Sequence, residues 1–220
     1  MRVVIAGGHG QIARRLGRLL AARGDAVAGL IRKPEQAGDL RDDGVEPVVL
    51  DLEAASLDDV AGVLDGADAV VFSAGAGPGS GAARKETVDR GAAVLLAGAA
   101  ERAGVRRYLM VSSIGASADP PAGTDPVFAA YLRAKHTADE DLRGRPLDWT
   151  VLRPGHLTND PGTGRVRLAA RVGRGSVPRD DVAATLLALL DNPASAGHTL
   201  ELVGGDTQVT EAVEAAVSGA

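Results

Sequence analysis

The sequence predicts an α/β fold, with a doubly wound parallel sheet whose two faces are covered by helices. Short apolar runs rich in β-branched residues alternate along the chain with segments in which apolar residues recur at helical spacing. Such alternation implies helical crossovers between parallel strands. Hydrophobic residues make up 45% of the 220 residues and aromatic residues only 2%, so the core must be built mainly from Ala, Val and Leu.

The first half of the chain begins with a strand and a helix in close succession. The apolar run Arg2–Ala6 precedes a helical repeat that starts at Ile12 and ends at Gly24, as a C-terminal cap would end it. Ser56 and Asp59 have the spacing of a capping box, which predicts a helix directly after Ser56. The elements predicted in this half are strands 2–6, 26–31, 47–50 and 68–72, helices 12–23 and 57–64, and a polar segment 34–43.

The second half continues the alternation. An Ala-rich repeat predicts a long helix that ends at Gly104. The segment 161–175 lacks strong periodicity and is assigned to a small C-terminal lobe. The elements predicted in this half are helices 85–103, 126–143, 180–190 and 210–217, strands 107–112, 149–152 and 199–203, and the Gly- and Pro-rich loops 75–81 and 119–125.

Charge and cysteine content limit the classes of function. The net charge of -5, without a strongly basic patch, argues against nucleic acid as a partner. The sequence has no Cys and no cluster of His, Asp and Glu at ligand spacing, so no metal site is expected. Neither a signal peptide nor a stretch of membrane-spanning length is recognisable. We therefore expect a cytoplasmic protein without a membrane partner.

Gly7, Gly10 and Ala13 follow the first strand and open the first helix. Gly7 permits a sharp turn, Gly10 lets the backbone approach a pyrophosphate, and Ala13 lets the helix pack near the strand. The helix N-terminus offers free N–H groups and a positive dipole end to the phosphates. An ordinary strand–helix turn is the alternative, but a dinucleotide fingerprint requires this same context. The pattern predicts a Rossmann-type fold that binds a dinucleotide near its N-terminus.

Arg32 and Lys33 stand at the end of the second predicted strand. A site for NAD usually has an acid there, which accepts hydrogen bonds from the ribose hydroxyls. Two cations suit a 2′-phosphate instead, and the guanidinium fork can bind it with two hydrogen bonds. A solvated charge pair before a turn is the alternative. The pair favours NADP(H) as the cofactor.

Several short motifs occur in a specific order and spacing over nearly the whole chain. They are Gly7-Gly8-His9-Gly10-Gln11-Ile12, Asp51-Leu52, Ser73-Ala74-Gly75, Val111-Ser112-Ser113, Tyr131-x-x-x-Lys135 and Arg153-Pro154-Gly155. In these motifs the chain resembles the atypical short-chain dehydrogenase/reductase superfamily. The resemblance is to its NAD(P)H-binding oxidoreductases and sugar-epimerase-like proteins, near the NmrA-like and flavin-reductase-like branches.

The resemblance implies a role for each motif. Asp51 would accept from the adenine amino group with Leu52 beside the ring, 73–75 would run under the adenosine ribose, and 154–157 would lie against the nicotinamide. One NAD(P)-binding domain, 1–220, is expected, with 156–178 and 194–220 forming its substrate-side part. The expected cofactor-binding residues are Gly7, His9, Gly10, Gln11, Ile12, Arg32, Lys33, Asp51, Leu52, Ser73, Ala74, Gly75, Val111, Ser112, Lys135, Pro154, Gly155 and His156.

Tyr131 and Lys135 are four residues apart and would share one helix face. An ammonium group near a phenol favours the phenolate, and it can also hold a ribose. Such a Tyr can exchange a proton with a substrate oxygen while a hydride moves to or from the cofactor. A Tyr on an amphipathic helix beside an unrelated exposed Lys is the alternative. In the context of the other motifs, the pair favours catalysis.

The chain departs from the family pattern at Ile114. Many catalytic members have a Ser or Thr at this place, so either Ser113 supplies the hydroxyl or no such Ser exists. His156 is a further candidate, because flavin-reductase-like relatives can place a His near the nicotinamide, where it could donate a proton. An exposed loop His is an equally good interpretation.

Two classes of function remain open. The first is an enzyme, either an NADP(H)-dependent oxidoreductase or a nucleotide-sugar epimerase-like protein, and Tyr131 with Lys135 favours it. The second is an NADP(H)-binding sensor that reports to a partner protein, which Ile114 favours. The chain after residue 160 is short, which favours a small carbonyl, quinone or flavin-like substrate. We expect a monomer or homodimer whose partner is that small molecule.

Overall fold

A nine-stranded, mostly parallel sheet forms the centre of the molecule, in the strand order β11-β8-β10-β6-β5-β4-β1-β2-β3. The computed structural model describes residues 1–77 and 79–218. The strands are β1 Arg2–Ala6, β2 Ala26–Ile31, β3 Glu46–Val49, β4 Ala69–Phe72, β5 Arg107–Val111, β6 Asp148–Pro154, β7 His156–Thr158, β8 Arg165–Ala169, β9 Ser176–Pro178, β10 His198–Gly204 and β11 Thr207–Gln208. β8 pairs antiparallel with β10 and β11, whereas β7 pairs with β9 in a separate small sheet.

Helices cover both faces of the central sheet. They are α1 Gln11–Ala22, α2 Ala37–Asp42, α3 Leu57–Leu64, α4 Ala82–Arg84, α5 Ala93–Ala103, α6 Pro126–Arg143, α7 Arg179–Asp191 and α8 Val209–Ser218, with π-helical turns at Lys85–Ala92 and 3-10 turns at Pro34–Gln36 and Pro193–Ser195. None of the helices in the described part of the chain combines the length and the apolar character that crossing a bilayer requires.

The core consists of two apolar layers, one on each face of the sheet. Val3 and Ile5 of β1 pack into the layer under α1, α7 and α8, whereas Val4 and Ala6 pack into the layer under α3, α5 and α6. Successive residues of a strand point to opposite faces, so a strand covered on both sides must be apolar throughout. This is why the predicted strands are continuous apolar runs. The sheet order and the helices on both faces confirm the predicted doubly wound α/β fold.

Most differences from the sequence predictions lie in short elements. Helix α2 forms within 34–43, where only a polar segment was predicted. Strand β8 was missed, although Val166 and Leu168 are buried between more exposed residues, as in a strand with one solvated face. The substrate-side boundaries 156–178 and 194–220 stay a prediction. Pro78 in the predicted loop 75–81 and residues 219–220 lie outside the described residues.

The strand order reverses between β1 and β4, and this reversal positions the site. From β1 the chain first builds β2 and β3 on one side, and it then places β4 on the other. Ala6, the last residue of β1, pairs with Leu30 of β2 and Phe72 of β4. In open α/β sheets, ligands bind outside the carboxyl ends of the strands at such a point.

Candidate functional site

The glycine-rich turn after β1 packs too tightly for side chains at two positions. Gly7 has φ +77°, and a Cβ there would lie 2.6 Å from the Cα of Ala74. A Cβ on Gly8 would lie 2.8 Å from the Cα of Gly29, and the Gly8 N–H donates to the carbonyl of Leu30 at 2.9 Å. The turn is therefore held between β2 and the segment after β4.

Gly10 has a different reason to be glycine. Its φ of -65° suits any residue, and it is the N-cap of α1, where no side chain caps the helix. The first N–H groups of an uncapped helix are free to bind an anion. A Cβ on Gly10 would lie 3.0 Å from the carbonyl oxygen of Gly7 and 3.6 Å from that of Ser73. A larger side chain would project into the space in front of these N–H groups.

A first cavity of about 350 Å³ opens beside this turn. It brings together many of the residues that the sequence predicted for the cofactor, from the ends of β1, β2, β3 and β4. Those residues are Gly7, His9, Gly10, Arg32, Asp51, Leu52, Ser73, Ala74 and Gly75. Its lining also includes residues that were not predicted, namely Leu30, Ile31, Gln36, Leu50, Glu53, Ala76, Arg84, Val88 and Ala92.

Arg32 and Lys33 have different environments despite being neighbours. Arg32 lines the first cavity, and its Nη1 lies 3.3 Å from Oε2 of Glu53. Lys33 lies outside that lining, and its ammonium is 3.8 Å from Glu35 on the exposed surface. Of the two predicted cations, only Arg32 contributes to the cavity.

The imidazole of His9 makes hydrogen bonds to Asp39 of α2 and to Gln36 in the turn before it. Its Nε2 lies 2.7 Å from Oδ2 of Asp39, and its Nδ1 lies 3.2 Å from Nε2 of Gln36. The hydrogen bond from His9 holds the pKa of the Asp39 carboxyl below its usual value, with a further contribution from Arg14. These contacts fix the imidazole at the mouth of the first cavity.

A second cavity of about 460 Å³ adjoins the first, and residues 73–75 line both. Its other lining residues include the predicted Ile12, Val111, Ser112, Tyr131 and Lys135. Leu157, from the segment 154–157 that the resemblance placed against the nicotinamide, also lines it, and unpredicted lining residues include Lys85, Asp89, Asp125, Val127 and Phe128. The two cavities share the wall formed by residues 73–75 and lie side by side along the carboxyl ends of β1, β4 and β5.

Lys135 is buried, and two partners position its ammonium group. It donates to the carbonyl of Val111 at 3.1 Å and lies 3.4 Å from Oδ1 of Asp89. It also lies 5.9 Å from the ring centroid of Tyr131, and the ammonium of Lys85 lies 5.4 Å from the same centroid. Two cations therefore lie close to the tyrosine ring.

Asp89 was missed by the sequence analysis. It is fully buried in the π-helical turns, and its Oδ2 accepts from the N–H of Ala76 at 3.2 Å. Its Oδ1 has no hydrogen-bond partner among the described residues. In the sequence, Lys85 and Asp89 look like an ordinary exposed pair of charges on a helix. The signal in the sequence was spacing, because Asp89 shares a helix face with the apolar residues Ala92 and Leu96.

The two candidate serines differ in position. Ser112 lines the second cavity and donates its hydroxyl to Oδ2 of Asp139 at 2.9 Å. Arg153 donates to the same oxygen at 2.8 Å, but burial still raises the pKa of Asp139 above its usual value. Ser113 lies outside the lining and donates to the carbonyl of Ile114. Of the two candidate serines, only Ser112 therefore lines the cavity.

Several predicted residues line neither cavity. His156 is exposed on β7, where its N–H donates to the carbonyl of Gly175 at 2.8 Å. The neighbouring Leu157 reaches the second cavity instead. The predicted residues outside both linings are Gln11, Lys33, Ser113, Pro154, Gly155 and His156.

The sheet order and the glycine turn at its switch point define the class of Rossmann-fold dinucleotide-binding proteins. The chain belongs to the NAD(P)H-binding family, whose sequence profile matches residues 7–193. The site fits a nicotinamide dinucleotide, because three of the four residues in the turn are glycines and the N-terminus of α1 has no side-chain cap, so its N–H groups are free for the phosphates.

Relatives of similar length are known. The chain is 37% identical to the uncharacterized sugar epimerase YhfK of Bacillus subtilis, over 97% of this chain and 99% of that protein. A structure from Bacillus halodurans, named as a candidate NAD-dependent epimerase/dehydratase, has 35% identity and a TM-score of 0.90 over 98% and 99% of the chains. The oxidoreductase ylbE from Lactococcus lactis has 28% identity and a TM-score of 0.86 over 99% and 97%.

Proposed function

We propose that this protein is an NADP(H)-dependent oxidoreductase that acts on a small carbonyl, quinone or flavin-like substrate. The observation that carries the proposal is the position of Tyr131. Tyr131 lines the second cavity with two lysine ammonium groups within 6 Å of its ring centroid, and that cavity shares the wall of residues 73–75 with the one beside the glycine turn. A proton donor beside a dinucleotide site is what such a reaction requires.

The residues of the second cavity supply proton transfer and positioning. When bound, the nicotinamide supplies or accepts the hydride. In reduction, Tyr131 donates its phenolic proton to the substrate oxygen and regains a proton from solvent, and in oxidation it takes the proton. Lys135, held by Val111 and Asp89, places its charge 5.9 Å from the ring centroid of Tyr131 and binds a ribose hydroxyl.

The walls of the second cavity suit a small, largely apolar substrate. Val127, Phe128 and Leu157 provide apolar surface, and Phe128 stacks on Tyr131 with 5.8 Å between ring centroids. A volume of about 460 Å³ is at the lower end of the range for ligand pockets. Assays with a panel of quinones, flavins and aldehydes, following NADPH oxidation, test the proposal directly.

A sensor of the NADP(H) state is the second candidate. The observation in its favour is that the hydroxyl hydrogen of Ser112 is already donated to Asp139, while Ser113 lies outside the cavity. Neither serine is then placed to donate to a substrate oxygen. An intact protein that binds NADPH but oxidises it with no member of the panel would favour the sensor over the enzyme.

Arg32→Ala is expected to weaken NADPH binding and leave NADH binding nearly unchanged. The variant loses a charge-assisted contact to the 2′-phosphate, which costs about 1.5–3 kcal/mol, or roughly 10–150-fold in Kd. Calorimetric titration with both cofactors measures it. Lys33→Ala is the matched control, because it removes the same charge outside the cavity and should have a smaller effect. Equal affinity of the native protein for NADPH and NADH would contradict the cofactor preference.

Lys135→Met is expected to lower both cofactor affinity and turnover, the latter by at least about tenfold, or about 1.4 kcal/mol. It should also lower Tm, since Asp89 is left buried without a counter-charge. Adding Asp89→Asn to Lys135→Met removes that charge and should recover part of the Tm. Recovery of turnover along with Tm in the double variant would show that Lys135 has only a structural role.

A further inference from the structure

Glu53 occupies the centre of a cluster of donors at the first cavity. It follows β3, and its Oε2 is hydrogen-bonded by Nη2 of Arg84 and lies 3.3 Å from Nη1 of Arg32. The hydroxyl of Thr87 donates to Oε1 at 2.7 Å. The three donors come from the end of β2 and from the helical segment after β4, so Glu53 joins two walls of the cavity.

Within the described residues, Glu53 is the only carboxylate paired with either arginine. The hydrogen bond from Thr87, assisted by Arg84, holds the pKa of Glu53 below its usual value, so the group is an anion at neutral pH. Guanidinium groups bind carboxylate and phosphate in the same forked geometry. The two guanidinium groups are therefore close enough together to bind one phosphate. A phosphate would have to compete with Glu53, which is already paired with both.

We propose that Arg32 and Arg84 together bind the 2′-phosphate of NADP(H), and that Glu53 gathers the two guanidinium groups and competes with this phosphate. The inference rests on the proposed preference for NADP(H) and names the residues that set its strength. Glu53 remains paired with both arginines when NADH binds, so binding of NADH leaves no charge uncompensated. The competing carboxylate then limits how strongly the site favours NADPH.

Two substitutions separate the roles of the cluster. Glu53→Gln keeps the shape and the acceptor oxygen but removes the negative charge, so affinity for NADPH should rise by about tenfold. Arg84→Ala removes one fork, so affinity for NADPH should fall by at least about tenfold, and Arg84→Lys should recover only part of the loss. Affinity for NADH should change little in all three variants.

The experiment is calorimetric titration of the full chain with NADPH, NADH, adenosine 2′,5′-bisphosphate and AMP. The last two probes isolate the 2′-phosphate and need no reaction at the nicotinamide. Glu86→Gln and Arg90→Ala are matched controls, since these residues pair with each other on the same helical segment and line neither cavity. Tm of every variant is measured, and Glu53→Ala replaces Glu53→Gln if the latter does not fold.

Each outcome has a separate meaning. A higher affinity of Glu53→Gln for the bisphosphate, with AMP unchanged, supports competition, and an unchanged or lower affinity overturns it. If Arg84→Ala binds the bisphosphate as tightly as the native protein does, Arg84 does not bind the 2′-phosphate. This holds even if the native protein prefers NADPH to NADH. If the native protein binds NADPH and NADH equally, and the bisphosphate and AMP equally, the proposed cofactor preference itself is wrong.

Discussion

Tyr131→Phe is expected to lower turnover by roughly 10²–10⁴-fold, the usual contribution of a positioned acid. The variant keeps the ring that stacks on Phe128 and lies beside the ammonium groups of Lys85 and Lys135. It lacks only the transferable proton. NADPH affinity should barely change, because an interaction made only in the transition state contributes little to ground-state binding. Steady-state turnover and calorimetric titration measure the two quantities.

Tyr108→Phe is the matched control for this change. Tyr108 is fully buried in the core, its hydroxyl has no hydrogen-bond partner among the described residues, and burial raises its pKa. Loss of that hydroxyl should leave turnover unchanged and should not lower Tm, since a buried donor without a partner costs free energy. His156→Ala is tested in the same assay. An active Tyr131→Phe with an inactive His156→Ala would move the acid to His156.

Gly10→Val is expected to weaken binding of NADPH and NADH alike by about 100-fold or more, or about 2.7 kcal/mol. The backbone conformation of Gly10 suits valine, and the carbonyl oxygen of Gly7, 3.0 Å from the added Cβ, must move by only a few tenths of an ångström, so the chain should still fold. The isopropyl group, however, would fill the space in front of the free N–H groups of α1, where the predicted pyrophosphate must approach. Titration with both cofactors, together with far-UV circular dichroism, separates binding from folding.

Gly62→Val provides the control for Gly10→Val. Gly62 lies on the exposed side of α3, and a Cβ there would meet no atom within 4 Å. This variant should bind both cofactors as the native protein does. A folded Gly10→Val protein that kept its affinity would show that the phosphates lie elsewhere than at this turn.

The fold and the position of the glycine-rich turn follow from the sequence alone. Strand and helix periodicity, the capping box at Ser56 and the left-handed Gly104 at the end of α5 are local features, and each is present in the structure. Local features are predictable because they depend on residues within a few positions of one another. The turn at Gly7 is of the same kind, since strand, glycines and helix are contiguous.

The tertiary structure alone decided which charges meet at the site. Glu53 and Arg84 are 31 residues apart, and Asp89 meets Lys135 from a different helix. The tertiary structure also placed Ser112, and not Ser113, at the second cavity. Periodicity identifies a buried face but does not show which distant groups share it. Those partners are set by the order in which β1, β4 and β5 lie side by side, because that order brings their carboxyl ends and the following segments to one edge of the sheet.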